Sequence, residues 1–569
     1  MFLAFGGRSF PAKAEEVNPP NNKFGIHLAV ASEEDLQDAA NLVNSSGGDW
    51  GWATLVIEEK DRQQEKWQRV FDQMRELHLI PIVRLATSFE NGSWRRPDPS
   101  EAKEWAVFLD SLNWVIKKRY IVLFNEPNRA DEWGGKVDPE NYGQIAFEFA
   151  KKLKEKNPDF FLMLSGFDAA SPHELPNYED EEVFLRRMVN SLPGGGSTLF
   201  EYLDGWASHS YPNHGFVGSP WGEGRNSVKS YLWELNLLKR LGIKKDLPVF
   251  VTETGWPHME GKIPQRTFYS ESEVAENLHF YFNRLFDDPK VWAITPFILN
   301  YQDEPFDHFS WRRPGSDRQF YPQYQKVCDL AKIKGEPQQE QKLEISTNLP
   351  QKLITGSTYQ IPITVKNEGQ AIWSRQDGYE LKLVSGKDEV FEYLFSDFYR
   401  LKPFEEQTIW FYLKTGERLG KFDLNLVVAK DGESISNGRP WTLEIIPAFD
   451  IDFRVSLFPK IKTKGDDFKF IIYNEKEEPV FEKTQIKVSS DLGKIEEVKN
   501  LAIGQKYRLV ILKPYYLPRQ EFLIVDQEKN EVRFERMLPL DFDQDGRLSF
   551  NDLFALLKKP KLFRLFWPN

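Results

Sequence analysis

Two glutamates and one acidic loop are the groups in this sequence whose types and spacing suit chemistry. Glu126 ends the apolar run YIVLFNE (120–126) within FNEPN, and Glu253 ends LPVFVTE (247–253) within VTETGWP. An apolar run buries a strand, so each carboxylate is left at a strand's mouth, in a turn rich in aromatics and proline. Two carboxyls facing one pocket can divide the work. One stays protonated and donates to a leaving oxygen; the other stays ionised and attacks carbon, as cleavage of a glycosidic bond requires. A lone glutamate would ordinarily be a solvated loop residue, but a pair at matching strand ends argues against that. The third group is Asp541-x-Asp543-x-Asp545-Gly546-x-x-Ser549-x-x-Asp552, which has the oxygen-ligand spacing of a calcium loop. Asp541, Asp543 and Asp545 would give carboxylates, Gly546 the sharp turn and Arg547 a backbone carbonyl. Ser549 would ligate directly or through water, and Asp552 fills the twelfth position.

The elements that must position the two glutamates follow from the pattern around them. Short apolar runs recur at 24–30, 50–57, 79–86, 120–126, 160–166, 203–211, 247–253 and 291–300. Between them, stretches such as EEDLQDAANLVN and YGQIAFEFAKKLKEK carry apolar residues three and four apart. Eight strands alternating with helices predict an α/β fold, a (β/α)8 TIM barrel over 21–334. An open doubly wound sheet is the alternative, but no Gly-rich phosphate loop follows the first run. In a barrel the reactive groups gather at the C-terminal strand ends, where Glu126 and Glu253 fall.

Beyond the polar linker at 334–342 the rhythm becomes strand-like with turn residues between runs. An Ig-like β-sandwich is expected over 343–447, a second β-sandwich over 448–537, and the calcium loop with a short amphipathic helix over 538–569. Spacer is the default role for both sandwiches, with carbohydrate binding as the alternative. Composition narrows the classes further. With 74 Lys and Arg against 86 Asp and Glu the net charge is −12, which argues against a nucleic-acid partner. No run approaches the roughly 20 apolar residues of a membrane span. Cys328 is the sole cysteine, so no disulfide forms within the chain. Aromatics reach 14%, enough for sugar stacking as well as for core. Residues 1–20 read as a leader or signal-peptide remnant, with Ala12-Lys13-Ala14 as a small-x-small cleavage site; export is therefore expected.

With Asn125-Glu126-Pro127 and Thr252-Glu253-Thr254-Gly255-Trp256 in view, residues 24–334 resemble the clan A glycoside hydrolases, retaining enzymes on a (β/α)8 barrel. The resemblance implies Glu126 as acid/base, Glu253 as nucleophile and Asn125 as the partner of the sugar 2-hydroxyl. It also matches Arg84 to an arginine that pairs with the nucleophile, and His209 and Tyr211 in WASHSYP to the clan's His and Tyr. Ordinary alternatives are a barrel-mouth ion pair for Arg84, a core histidine for His209 and a packing aromatic for Tyr211. Strand eight departs from the clan, which often places a Trp there as the floor beneath the sugar. This chain reads Phe297-Ile298-Leu299-Asn300-Tyr301, so Tyr301, Trp311 and Trp256 are the candidates for that floor. Trp50, Trp52, Trp94, Trp133 and Trp221 are weaker candidates for stacking. The calcium loop resembles a single dockerin repeat; one repeat lacks its pair, so no cohesin partner is expected. Together these features predict a secreted β-glycosidase acting on a β-linked polysaccharide or oligosaccharide, with structural Ca2+ and no catalytic cofactor. A glycan-remodelling transglycosylase and a non-catalytic carbohydrate-binding barrel are the alternatives.

Overall fold

The computed structural model describes residues 22–315, 317–385, 390–397, 399–436, 438–526 and 529–567. The leader expected over 1–20 lies outside the described residues. The chain forms two compact units, one ending at Glu340 and the other beginning at Gln341.

The first unit holds eight parallel strands: β1 (Gly25–His27), β2 (Gly51–Glu58), β3 (Leu79–Ala86), β4 (Arg119–Leu123), β5 (Phe160–Leu164), β6 (Trp206–His209), β7 (Val249–Glu253) and β8 (Val291–Ile294). Strands β1 to β5 pair in chain order, as do β6 to β8. Two seams join these arcs. Asp204 and Gly205 N–H donate to Leu162 O between β5 and β6. Phe24 bridges Ile294 between β1 and β8, and Ile294 N–H donates to Lys23 O. The result is a closed, barrel-like ring.

Its interior explains why these runs become strands. Strands β2, β4, β5 and β7 send Trp52, Tyr120, Phe161 and Phe250 inward, and Trp52 meets Tyr120 edge-on at 4.9 Å between ring centroids. Burial of each such ring stabilises the fold by about 1.5–3 kcal/mol. Helices cover the outside: α1 (Glu33–Val43), α2 (Gln64–Glu76), α3 (Glu101–Asp110), α4 (Pro139–Lys156), α5 (Glu181–Ser191), α6 (Ser230–Arg240) and α7 (Glu271–Phe286). Helix α4 shows the local logic. Asp138 caps its first turn by accepting from Asn141 N–H, Pro139 occupies the first turn, and Tyr142, Ile145, Phe149 and Leu153 form the buried stripe.

Several sequence expectations are corrected in extent. The runs at 24–30, 203–211 and 291–300 keep only three or four residues in strand each, with irregular backbone making up the rest. Strand β4 stops at Leu123, so Glu126 lies beyond it on irregular backbone. The polar linker is partly docked: Lys117 N–H donates to Gln338 O, and Gln339 Nε2 donates to Val115 O.

The second unit begins as two packed sheets over 343–446, antiparallel except where Lys352–Ile354 pairs parallel with Arg439–Ile446, and it shows the alternation expected of half-buried strands. Along Thr358–Asn367, Tyr359, Ile361, Ile363 and Val365 point inward onto Trp373, Phe411 and Leu426. The following segment differs from the second sandwich expected over 448–537. Its seven strands form one hydrogen-bonded sheet, rolled around Phe453, Phe468, Phe470 and Phe534. Register shifts in the pairing of Lys464–Tyr473 with Pro479–Ser489 bend the sheet. Leu517 N–H donates to Leu538 O where the roll comes round. A helix, Phe550–Lys558, follows the acidic loop and is opened by a Ser549–Asp552 capping box.

Candidate active site

Glu126 and Glu253 meet at the C-terminal mouth of the barrel, with His209 between them. His209 Nδ1 lies 2.8 Å from Glu126 Oε1 and 3.7 Å from Glu253 Oε2. One oxygen of each carboxylate and that nitrogen all fall within 4.8 Å of one another. Tyr211 donates its hydroxyl to Glu253 Oε2 at 3.2 Å.

Local backbone builds this cluster. Glu253 is the last residue of β7, so the strand itself aims the carboxylate. Glu126 is held differently, in a turn where Phe124 and Glu126 both take positive φ (70° and 26°), a region uncommon for residues with a Cβ. Cross-links hold it there: Glu126 N–H donates to Gly166 O at 3.1 Å, and Arg129 N–H donates to Glu126 O at 2.9 Å. Gly166 has a second duty. A Cβ at that position would overlap the His209 ring, so only glycine lets the imidazole reach Glu126.

The electrostatics follow from enclosure. Burial opposes charge on His209, which is 2% exposed, but the carboxylates of Glu253 and Glu126 outweigh it and raise the imidazole pKa. Tyr211 is pushed well above its ordinary value by burial and by the same two carboxylates, which keeps it a hydrogen-bond donor. His27 at the end of β1 goes the other way: burial, then Arg84 and His209, depress it well below 6.5. Its Nε2 stands 3.9 Å from Glu253 Oε1, and neither ring nitrogen has a hydrogen-bond partner. Asp168, past β5, is pushed up to about 6 by burial and by the charge of Glu126. Arg129 stands 3.7 Å from Glu126 Oε2 and 3.9 Å from Asp168 Oδ2.

Among the residues singled out from sequence, Glu126, Glu253, His209 and Tyr211 therefore converge. Arg84 is placed differently from the expected partner of the nucleophile. The basic side chains within 4 Å of a Glu253 oxygen among the described residues are His27 and His209, while Arg84 lines a small cavity with Asn125 and Glu132. Asn125 Oδ1 is buried there without a partner. Trp256 and Trp311 are corrected outright as floor candidates: each is 2% exposed and belongs to the barrel core. The Trp256 indole donates to Gly218 O, so its ring fastens the 212–226 loop instead. Trp50, Trp52 and Trp133 are likewise buried in the core. Tyr301 stays partly buried in a cluster with Tyr211, Ile298 and Phe309. Phe297, three residues past β8, is the aromatic that stands by the site, its ring 5.2 Å from the His27 ring. Sequence reasoning missed Phe297, His27, Asp168 and Glu132. Only Glu132 left a signal, an acid shortly after the FNEPN string.

The acidic loop gathers some of its expected ligands. One carboxylate oxygen from each of Asp541, Asp543 and Asp552 lies within 4.8 Å of the others. Gly546 takes φ 82° and donates its N–H to Asp541. Burial and the neighbouring Asp charges raise Asp541 and Asp543. Three converging carboxylates that repel one another fit a hard divalent cation. Asp545 instead accepts from Arg547 N–H, and the Ser549 hydroxyl accepts from Asn551 N–H, so both serve the turn and helix start. No helix among the described residues is long and apolar enough to cross a membrane.

No protein-family model matches the chain, and no curated protein matches it in sequence. Solved structures do match. A GH128 (subgroup II) endo-β-1,3-glucanase from Pseudomonas viridiflava is 16% identical, with 54% of this chain and 97% of that one covered and a TM-score of 0.36. An FMN-binding β-glucuronidase from Facaelibacterium prausnitzii L2-6 is 12% identical at TM-score 0.35, covering 76% of this chain and 57% of that one. A monomeric β-xylosidase from Caulobacter crescentus CB15 is 12% identical, covering 87% and 97%, at TM-score 0.37. These structural neighbours are glycoside hydrolases.

Proposed function

We propose that this chain is a secreted, retaining β-glycoside hydrolase acting on a β-linked polysaccharide or oligosaccharide. One observation carries the reading: two carboxylates at the barrel mouth, Glu253 at the end of β7 and Glu126 just past β4, approach within 4.8 Å across a shared histidine. Retaining enzymes hold their carboxyls about 5–5.5 Å apart, whereas inverting ones leave about 6.5–9.5 Å for a water. In the first step Glu253 attacks the anomeric carbon and the glycosidic bond to the leaving oxygen breaks. Glu126 gives that oxygen its proton. The sugar is then held as an ester of Glu253, and Glu126, now ionised, takes a proton from water as the water displaces the ester. Tyr211 holds the attacking carboxylate in line. His209, raised in pKa between the two, supplies positive charge while negative charge moves from one carboxylate to the other.

Calcium at Asp541, Asp543 and Asp552 is proposed as structural, fixing the loop before the last helix, and export is proposed on the signal-like residues 1–20. No cohesin partner is proposed. Transglycosylation would use the same residues with a sugar hydroxyl in place of water. The test is reducing-end release from β-glucans, mannans, xylans and galactans by wild type, Glu126→Gln and Glu253→Ala, with and without a chelator. Release by wild type alone, unaffected by chelator, is expected. Wild-type turnover by Glu253→Ala would sink the assignment. Abolition by chelator with the fold intact by circular dichroism would move the chemistry to a cation held by Glu126, His209 and Glu253.

A further inference from the structure

The helix Phe550–Lys558 of the second unit is fastened along one side only. Asp552 Oδ1 accepts from Phe542 N–H at 2.7 Å and from Asp543 N–H at 3.2 Å, and Leu556 is buried. The 3-10 turn that follows, Pro560–Phe566, is tied down in a similar way. Leu565 packs on the core of the rolled sheet, the Phe566 ring stands 6.0 Å from that of Phe542, and Lys460 Nζ donates to Trp567 O at 2.5 Å. These anchors fix which side chains face away.

The outward side chains are apolar. Phe550, Leu553, Phe554 and Leu557 recur three and four apart, so they form one stripe along the helix, and each is between 53% and 84% exposed. Phe563 and Trp567 add two further exposed rings on the turn. An apolar stripe left in water marks a contact site, and charge says what it meets. Lys558, Lys559, Lys561 and Arg564 are all exposed, and no acidic residue lies between Leu553 and Trp567. The chain as a whole carries −12, but at physiological salt a charge is felt over about 8 Å, so a docked surface meets the local cations. The acids closest in sequence are those of the Asp541–Asp552 loop, whose charge a bound calcium ion would offset.

A soluble polyanion would engage the four cations and leave the stripe in water. A neutral apolar groove would cover the stripe and strand the cations. A bilayer with acidic headgroups offers both partners at the right depths, acyl chains below and phosphates above. We propose that this face docks the chain onto an anionic lipid bilayer, the stripe seated at the headgroup–acyl boundary and the four cations on the phosphates. A helix of 9 residues is about 14 Å long against a hydrocarbon core of roughly 30 Å, so it lies in the surface and does not span it. The docking is separate from the reaction at Glu126 and Glu253.

The test is cosedimentation of the full-length protein, with calcium present, on vesicles of phosphatidylcholine alone or mixed with phosphatidylglycerol. Wild type should pellet with the anionic vesicles, stay in solution with the neutral ones, and be released by salt. Each Lys or Arg at such a surface is worth about fivefold in partition, so Lys558→Gln/Lys559→Gln/Lys561→Gln should bind on the order of 100-fold more weakly. Phe550→Ser/Phe554→Ser should lose roughly 10- to 100-fold. Brominated acyl chains should quench part of the indole emission of wild type, and less of it in Trp567→Phe. The substituted side chains are exposed, so circular dichroism and unfolding midpoints should match wild type. Failure to bind anionic vesicles, equal binding to both compositions, or wild-type binding by Phe550→Ser/Phe554→Ser would overturn the proposal. So would a wild-type dimer in light scattering that the serine variant dissolves, because a second copy would then cover the stripe.

Discussion

Removing the charge at Glu132 should change how the barrel's stability depends on pH. Its carboxyl, ordinarily near 4.5, is pushed up to about 7, chiefly by burial. A raised carboxyl pKa means that the folded chain holds its proton more tightly than the unfolded one. That stabilisation is complete below the unfolded pKa and disappears as pH rises through the folded one. At about 1.36 kcal/mol per pKa unit the shift is worth about 3 kcal/mol, most of it lost between about pH 5 and pH 8. Side-chain contact with solvent makes this an upper value. Other groups titrate with the same sign, notably Asp168 and the buried pair Glu181 and Glu234. The difference between two proteins isolates Glu132. Glu132→Gln should therefore gain on wild type by up to about 3 kcal/mol on going from about pH 5 to pH 8, read from denaturant midpoints of the indole fluorescence transition. Parallel pH profiles for the two proteins would refute the enclosure of that carboxyl.

Tyr211→Phe removes the donor to Glu253 and should lower kcat/KM by roughly 10- to 100-fold with an unchanged circular dichroism spectrum. Gly166→Ala places a methyl where the His209 ring lies; activity should collapse while the chain still folds, and a wild-type rate would disprove the close approach. Trp256→Ala should lower stability by about 3–5 kcal/mol, as for a core ring, with its effect on KM secondary to that loss. Calcium should raise the melting temperature of wild type, a chelator should reverse this, and Asp541→Asn should abolish the response in a calorimetric scan.

How much of this the sequence disclosed depends on the range of each interaction. The barrel strands are legible because burial on both faces leaves uninterrupted apolar runs, as in β5 and β7. Glu126, Glu253, His209 and Tyr211 are legible because each lies at or just beyond the end of such a run. His27 and Phe297 are not, since a short strand continuing into irregular backbone gives no cue to which side chains face the mouth. Glu132 and Asp168 reach the site by loops that double back, held by hydrogen bonds to residues distant in sequence. Trp256 misleads for a related reason: it follows a reactive strand end, but its ring turns onto Tyr281 of α7. Likewise, alternation in 448–537 announces strands without saying whether they form two sheets or one rolled sheet.

The seam between Phe24 and Ile294 also sets a clock on synthesis. The ring cannot close until the ribosome has released residue 294, and at about 5–20 residues per second that wait lasts roughly a quarter of a minute to a minute. Throughout it the nascent array has an open edge on β1, whose backbone groups are free to pair with any passing strand. Chaperone capture during translation, rather than the stability of the finished barrel, should then set the yield of active protein. Slower elongation would lengthen the exposure.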